Sequence, residues 1–251
     1  MNQDLKISLE NKVLTLSFNR PQVNNAFNDQ LIAALTENLK QFQNDDQVQV
    51  LIIRGEGKHF CAGADLTWMK KMGGASLAEN KSDARALAEM LHLLDNFSKP
   101  VITLVQGAAF GGALGLMACS DIVIATDAAQ FCFSEIKLNL LPAIISPYVI
   151  RAIGERQARR YFLTGEKFTV EQALRMNLVH HIDNADNLTQ AAQPFIHALL
   201  SHNPKILLEG KRLIQSVVGA IPKNMTDKTI DLIAHLRCSA DAQIALEKFL
   251  K

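Results

Sequence analysis

The chain has 251 residues, 48% of them apolar and 20% charged, a balance ordinary for a soluble globular protein of one large or two smaller domains with a substantial core. The formal net charge of +1 gives no electrostatic support for nucleic-acid binding, and no basic stripe stands out. The segment Met1 to Lys6 lacks the blocks of a secretory leader and no apolar run nears the ~18 residues of a membrane span, so a cytoplasmic protein with no membrane partner is expected.

In chain order, Leu5 to Glu10 and Val13 to Phe18 flank Asn11-Lys12 and predict a hairpin. Asn28 is placed to cap a helix running to about Phe42, with Leu31, Leu35, Leu39 and Phe42 on one stripe. A strand is expected over Val48 to Arg54. The polar stretch Lys70 to Asn80, with Gly73-Gly74 inside it, predicts a mobile surface segment. A helix from about Asn80 to Phe97 is stopped by Pro100, since the residue before a proline is pushed out of helical conformation. Pro100 to Val105 predicts a strand, Gly111-Gly112 a helix start, and Asp121 to Ala125 another strand. Beyond Ser146 the pattern is almost wholly helical. It has one short strand near 178–182 and helices over Asp186 to Leu200, Pro204 to Val218 and Lys228 to Lys251. Alternating strands and helices followed by a helical tail predict an α/β core with a helical C-terminal region.

Three short stretches carry the chemistry. Phe60-Cys61-Ala62-Gly63-Ala64-Asp65-Leu66 and Gln106-Gly107-Ala108-Ala109-Phe110-Gly111-Gly112-Ala113 each follow an apolar run of strand type and precede a helical pattern. Small residues there allow close approach to the backbone, and a helix start leaves N–H groups without intrahelical acceptors. Two such donors converging from different loops suit an oxygen that becomes negative during reaction, which suggests enolate chemistry. The third stretch, Phe131-Cys132-Phe133-Ser134-Glu135-Ile136, sets one carboxylate among apolar neighbours, where burial raises its pKa toward neutrality.

These motifs, in this order and from Leu16-Ser17-Phe18-Asn19-Arg20-Pro21 to the terminal helices, resemble the enoyl-CoA hydratase/isomerase family, the crotonase superfamily. The resemblance implies a spiral of repeated ββα units over 1–195 and a helical trimerisation region over 196–251. It also implies an acyl-CoA thioester as substrate, assembly as a homotrimer or homohexamer, and no cofactor beyond the coenzyme A of the substrate. By motif, Ala64 and Gly112 become the backbone donors to the thioester oxygen, and Glu135 the acid/base residue. Ala62, Gly63, Asp65, Leu66 and Thr67 would line the pantetheine and adenine. Gln22, Val23 and Ala26 would form the opposite wall, Gly111 would lie beside the second donor, and Lys211 would place a cation near phosphates, in some relatives those of a neighbouring subunit. Asp65 is equally suited to capping the following helix.

The sequence departs from its relatives at one place. Family hydratases commonly hold water between two glutamates, and the position of the first falls on Gly115 here. Two mechanisms stay open: Glu135 alone shuttles a proton between carbons, as in a double-bond isomerase, or it activates a water held by the backbone, Ser134 or Asn139. The pattern Ser134-Glu135-Ile136, Pro142-Ala143 and Ile145-Ser146-Pro147-Tyr148 is similar to bacterial methylglutaconyl-CoA and isoprenoid glutaconyl-CoA hydratases. A hydro-lyase acting on a branched or carboxylated acyl-CoA is the reading it favours. An isomerase is the alternative within the family, and a non-catalytic acyl-CoA-binding scaffold the alternative outside enzymes.

Other features carry less. Cys61, Cys119, Cys132 and Cys238 show no CxxC spacing, and free, mostly buried thiols in a reducing compartment are expected. His180 and His181 are adjacent on a predicted strand and point to opposite faces, so no metal site is expected. His59 precedes the first loop and is read as a solvent-side residue. The fingerprints G-x-G-x-x-G after a strand and G-x-S-x-G are both missing.

Overall fold

The computed structural model describes residues 4–184 and 187–250. Strands β1 (Leu5–Glu10) and β2 (Val13–Phe18) form the expected hairpin, registered Leu5 opposite Phe18 and Glu10 opposite Val13. Asn11 and Lys12 turn it with positive φ values of 49° and 67°, the backbone sense that matches strand twist. Helix α1 (Asp29–Phe42) begins where Asn28 accepts the Leu31 amide (2.8 Å) and buries Leu31, Leu35 and Leu39. It leads into β3 (Val50–Gly55), which pairs parallel with β2.

The 70–80 segment is where the structure overturns the sequence expectation. Helix α2 (Leu66–Gly73) occupies its first part, and α3 (Leu77–Asp95) starts immediately after it. Ser76 and Glu79 form a reciprocal capping box, a signal that the glycine pair overshadowed. The segment is further tied down by buried Asn80, whose side-chain amide donates to the Met72 and Ala75 carbonyls (3.0 and 3.2 Å).

Strand β4 (Val101–Val105) follows, then β5 (Ala108–Phe110), α4 (Gly112–Cys119), β6 (Ile122–Thr126) and β7 (Gln130–Cys132). A 3-10 turn over Ser134–Leu138 precedes α5 (Ser146–Thr164), β8 (Phe168–Thr169) and α6 (Val170–Arg175). Strand β9 (His181–Asp183) fulfils the expectation of a short late strand. The helix expected from Asp186 begins at a residue outside the described ones; the rest of it is α7 (Leu188–Ala191) and α8 (Gln193–Ser201). Helix α9 spans Pro204–Val218 as expected. The last expected helix is two, α10 (Lys223–Arg237) and α11 (Ala240–Phe249), because Ser239 starts a new cap on the Ala242 amide.

The strands form a six-stranded sheet in the order β1-β2-β3-β4-β6-β9 and a smaller sheet β5-β7-β8. All neighbours in the large sheet are parallel beyond the first hairpin, so each return runs through helices and both faces are covered. The main core joins β2, β3 and β4 to helices α1, α3, α4 and α5, and Ile230 and Ile233 of α10 belong to it. The three short strands of the small sheet escaped sequence reading because runs of two or three residues carry no periodicity.

Candidate active site

The loops after β3 and β4 are laced together by backbone hydrogen bonds. Phe60 N–H donates to Gln106 O (2.7 Å), Cys61 N–H to Ala108 O (3.1 Å), and Phe110 N–H to Cys61 O (3.0 Å). Gly107 makes this approach possible: with φ +59°, a Cβ there would lie 2.3 Å from the Lys58 carbonyl oxygen. His59 is part of the lacing, its Nδ1 accepting the Ala108 amide at 3.0 Å. Burial and the neighbouring Lys58 lower its pKa, which favours the neutral ring that this role requires.

On that frame, Phe27 donates to Gly63 O and accepts from the Asp65 amide, both at 2.8 Å. In such parallel pairing the N–H of the intervening Ala64 faces the other way, and among the described residues it has no acceptor. The Gly112 amide, first in α4, also precedes the helical ladder and lacks an acceptor among those residues. The Phe27 ring stands between the two loops, 3.5 Å from where a Gly112 methyl would sit. Ala64 and Gly112 thereby line one cavity of about 140 Å³ together with Glu135.

Glu135 sits in the 3-10 turn and lies against Gly111, where a Cβ would come within 3.2 Å of its Oε1. Gly111 itself adopts φ +55° and donates to Cys132 O (2.9 Å), which turns the chain into α4. Although the residue is partly exposed, Glu135 Oε2 is sealed from solvent and has no hydrogen-bond partner among the described residues. Desolvation pushes the carboxyl up to about 7, against a smaller opposing pull from its own amide N–H. Such a group can take and return a proton near neutral pH.

Gly115, also on α4, shows more than the loss of a side chain. A Cβ there would be 2.4 Å from Ile145 Cγ2 and 3.4 Å from Leu91 Cδ1. Ile145 has filled the space, so a glutamate at 115 cannot enter without displacing it. Of the two polar residues considered for holding water, Ser134 lines the cavity, whereas Asn139 does not. Asn139 ends the 3-10 turn in left-handed conformation and donates to Asp241 O (3.0 Å).

The expected coenzyme A walls meet where Ala62 N–H donates to Asn24 O (3.0 Å). Val23 and Leu66 leave apolar surface exposed beside this junction, with Gln22 and Thr67 also outward and Ala26 buried beneath. Asp65 is consumed internally. Its Oδ1 caps α2 through the Thr67 and Trp68 amides (2.9 and 3.2 Å), and its Oδ2 accepts from Arg20 Nη2 (2.9 Å). Burial alone would raise its pKa, but Arg20 and the capping amides outweigh that and hold the carboxyl below the usual range.

Lys211 lies outside the cavity of its own chain. Its Nζ donates to Asp121 Oδ2 (2.7 Å) and Lys99 O (3.0 Å), ahead of β6 and β4 and so at the opposite strand ends from the two amides. In this chain it is an internal ion pair. The thiols near the site are inert: burial raises Cys132 and pushes Cys61 up to about 12.

Two supports were not singled out from the sequence. Arg20 bridges Asp65 to the Ala26 carbonyl, and Asn25, fully buried, donates to Glu56 O and His59 O (2.8 and 2.7 Å). The signal was the Asn24-Asn25 pair, since asparagine tolerates the left-handed region both residues adopt and its amide can satisfy stray carbonyls. Among the described residues there is no grouping of three potential metal ligands, and His180 Nδ1 accepts the Val123 amide.

Comparison with known proteins agrees with this architecture. A profile of the enoyl-CoA hydratase/isomerase family matches residues 8–250. The 2,3-dehydroadipyl-CoA hydratase of Escherichia coli is 30% identical over 99% of this chain and 96% of its own length. The 1,2-epoxyphenylacetyl-CoA isomerase of the same organism is 32% identical over 89% of this chain and 85% of its own. A crystal structure of an enoyl-CoA hydratase from Shewanella pealeana superposes with a TM-score of 0.84 at 46% identity, covering 98% of this chain and 93% of that one. The chain belongs to the enoyl-CoA hydratase/isomerase family and has its crotonase fold. Both hydratases and isomerases occur among its relatives.

Proposed function

We propose that the protein reversibly adds water to an α,β-unsaturated acyl-CoA through an enolate held by Ala64 and Gly112. The observation that carries this is the meeting of two unpartnered amides and one desolvated carboxylate around a single apolar cavity. The amides receive the thioester oxygen as it gains charge; one such donor typically contributes ~10²–10³ in rate. Glu135 takes a proton from the attacking water, positioned beside Ser134, and returns it to the α-carbon. The acyl group is branched or carboxylated, as the likeness of the 134–148 segment to methylglutaconyl-type hydratases suggests. The reaction draws on no resident metal or redox cofactor, coenzyme A arriving with the substrate.

The protein works as a homotrimer or homohexamer built through its C-terminal region. Supporting this, Ile206, Leu213, Ile214, Val217 and Val218 form an apolar stripe on α9 and are each more than half exposed.

A specific observation keeps the isomerase reading alive: with Ile145 in the space beside Gly115, Glu135 is the one acid among the described residues that line the cavity, and a single acid suffices to move a proton between two carbons. Following the enoyl thioester absorbance separates the two. A hydratase bleaches a 2-enoyl-CoA, whereas an isomerase creates that absorbance from a 3-enoyl-CoA and leaves 2-enoyl-CoA unhydrated. Loss of turnover in Glu135→Gln with acyl-CoA affinity retained supports catalysis. Acyl-CoA binding without turnover on a broad panel by the unaltered protein identifies a scaffold instead.

A further inference from the structure

Beyond Ser134 and Glu135 the cavity wall is apolar except at Arg237 and Gln243. The Gln243 side-chain amide is spent on Gly73 O (2.9 Å). Arg237, the last residue of α10, is only partly spent. Its Nη1 donates to Asp83 Oδ2 at 2.7 Å, and among the described residues Nε and Nη2 have no acceptor. The pair is sunk into the protein, with side chains 17% and 12% exposed. Trp68 holds it from a third helix: its Nε1 donates to Asp83 Oδ1 (3.1 Å), and the guanidinium stands 5.4 Å from the ring centroid. Trp68 and Arg237 line the same cavity as Ala64, so this cation faces the space that the first amide also borders.

A sunken ion pair contributes little to stability, because desolvation offsets the attraction, and apolar side chains would close the cavity as well. What the pair adds is a fixed guanidinium edge with unused donors, a shape that matches a carboxylate in bidentate fashion. The geometry points to Arg237 as a specificity-determining residue that binds the terminal carboxylate of a dicarboxylic acyl-CoA, with Trp68 as a positioning residue and Asp83 as the resident counter-ion. This rests on the acyl-CoA reading given above. Asp83 compensates the cation while the cavity is empty and competes for it once a second carboxylate arrives. Removing the cation and removing its competitor therefore act in opposite directions.

The test compares kcat/KM for glutaconyl-CoA against 2-pentenoyl-CoA, and for 2,3-dehydroadipyl-CoA against 2-hexenoyl-CoA. The unaltered enzyme is expected to favour the carboxylated member of at least one pair by about tenfold or more. Arg237→Met brings that ratio close to one, and Asp83→Asn raises it severalfold. No preference in the unaltered enzyme, a ratio kept by Arg237→Met, or equal losses in both variants would overturn the assignment. Should Arg237→Met fail to fold, the direction of the Asp83→Asn change decides. Calorimetric binding of the saturated pairs, glutaryl-CoA against valeryl-CoA and adipyl-CoA against hexanoyl-CoA, is run in parallel on the same proteins. If no enoyl-CoA is hydrated, the hydratase reading falls, while the calorimetric ratios still decide the role of Arg237.

Discussion

The two walls of the cavity are held by different physics. The wall bearing Ala64 and Gly112 is backbone laced to backbone, reinforced by buried Asn25, the Arg20–Asp65 pair and the neutral acceptor His59. The opposite wall, from α2, α10, α11 and residues 138–145, is apolar side-chain packing interrupted by the Arg237–Asp83 pair. Hydrogen-bonded backbone fixes an atom's position within tenths of an ångström, as an oxyanion requires. Side-chain packing can be exchanged residue by residue without moving that frame. The first wall is thus suited to invariant chemistry, and the second to the choice of acyl group.

The comparison can be broken by substitution. Glu135→Gln, which removes proton transfer but keeps shape, is expected to lower kcat by roughly 10²–10⁴ with acyl-CoA affinity little changed. An equal rise in Kd would show the residue to be part of the binding wall only. The kcat/KM profile of the unaltered enzyme is expected to rise with pH through an apparent pKa of about 7, since the carboxylate is the form that accepts the proton.

Asn25→Ala attacks the laced wall, stranding two partly buried carbonyls. It should cost about 2–4 kcal/mol in denaturant unfolding and reduce kcat by displacing the Ala64 loop. Unchanged kcat in a folded variant would show that the lacing does not position the amide. Gly115→Glu attacks the packed wall and should destabilise by about 1–3 kcal/mol through its clash with Ile145, without raising hydratase activity. Adding Ile145→Ala relieves the clash, and recovery of stability in the double variant checks the steric account.

The smallest effect is the pH dependence of stability. The carboxyl of Glu135 is raised from 4.5 to about 7 on folding, so between those values the folded chain holds more proton than the unfolded one. Its contribution is fully present below the unfolded value and is lost as pH rises through the folded one. The unaltered protein should therefore lose roughly 2 kcal/mol relative to Glu135→Gln between pH 5 and 8. Parallel unfolding curves across that range would show that the carboxylate is solvated.

Much of this was legible in the residues alone. The hairpin, α1 with its Asn28 cap, and α9 were set by period and capping chemistry within a few positions of one another. The small-residue motifs and Glu135 marked the chemistry, because close backbone approach needs residues without bulk. At 70–80 the Gly73-Gly74 pair masks a capping box that spans only the four residues from Ser76 to Glu79. What only the folded chain decided involves partners far apart in sequence. Ile145 entering the space at Gly115, Arg237 meeting Asp83 and Trp68, and Lys211 turning to Asp121 are such cases. Local patterns report a residue's neighbours along the chain, whereas the occupant of a cavity or the partner of a charge is chosen when distant elements pack. That choice leaves no periodic trace in the sequence.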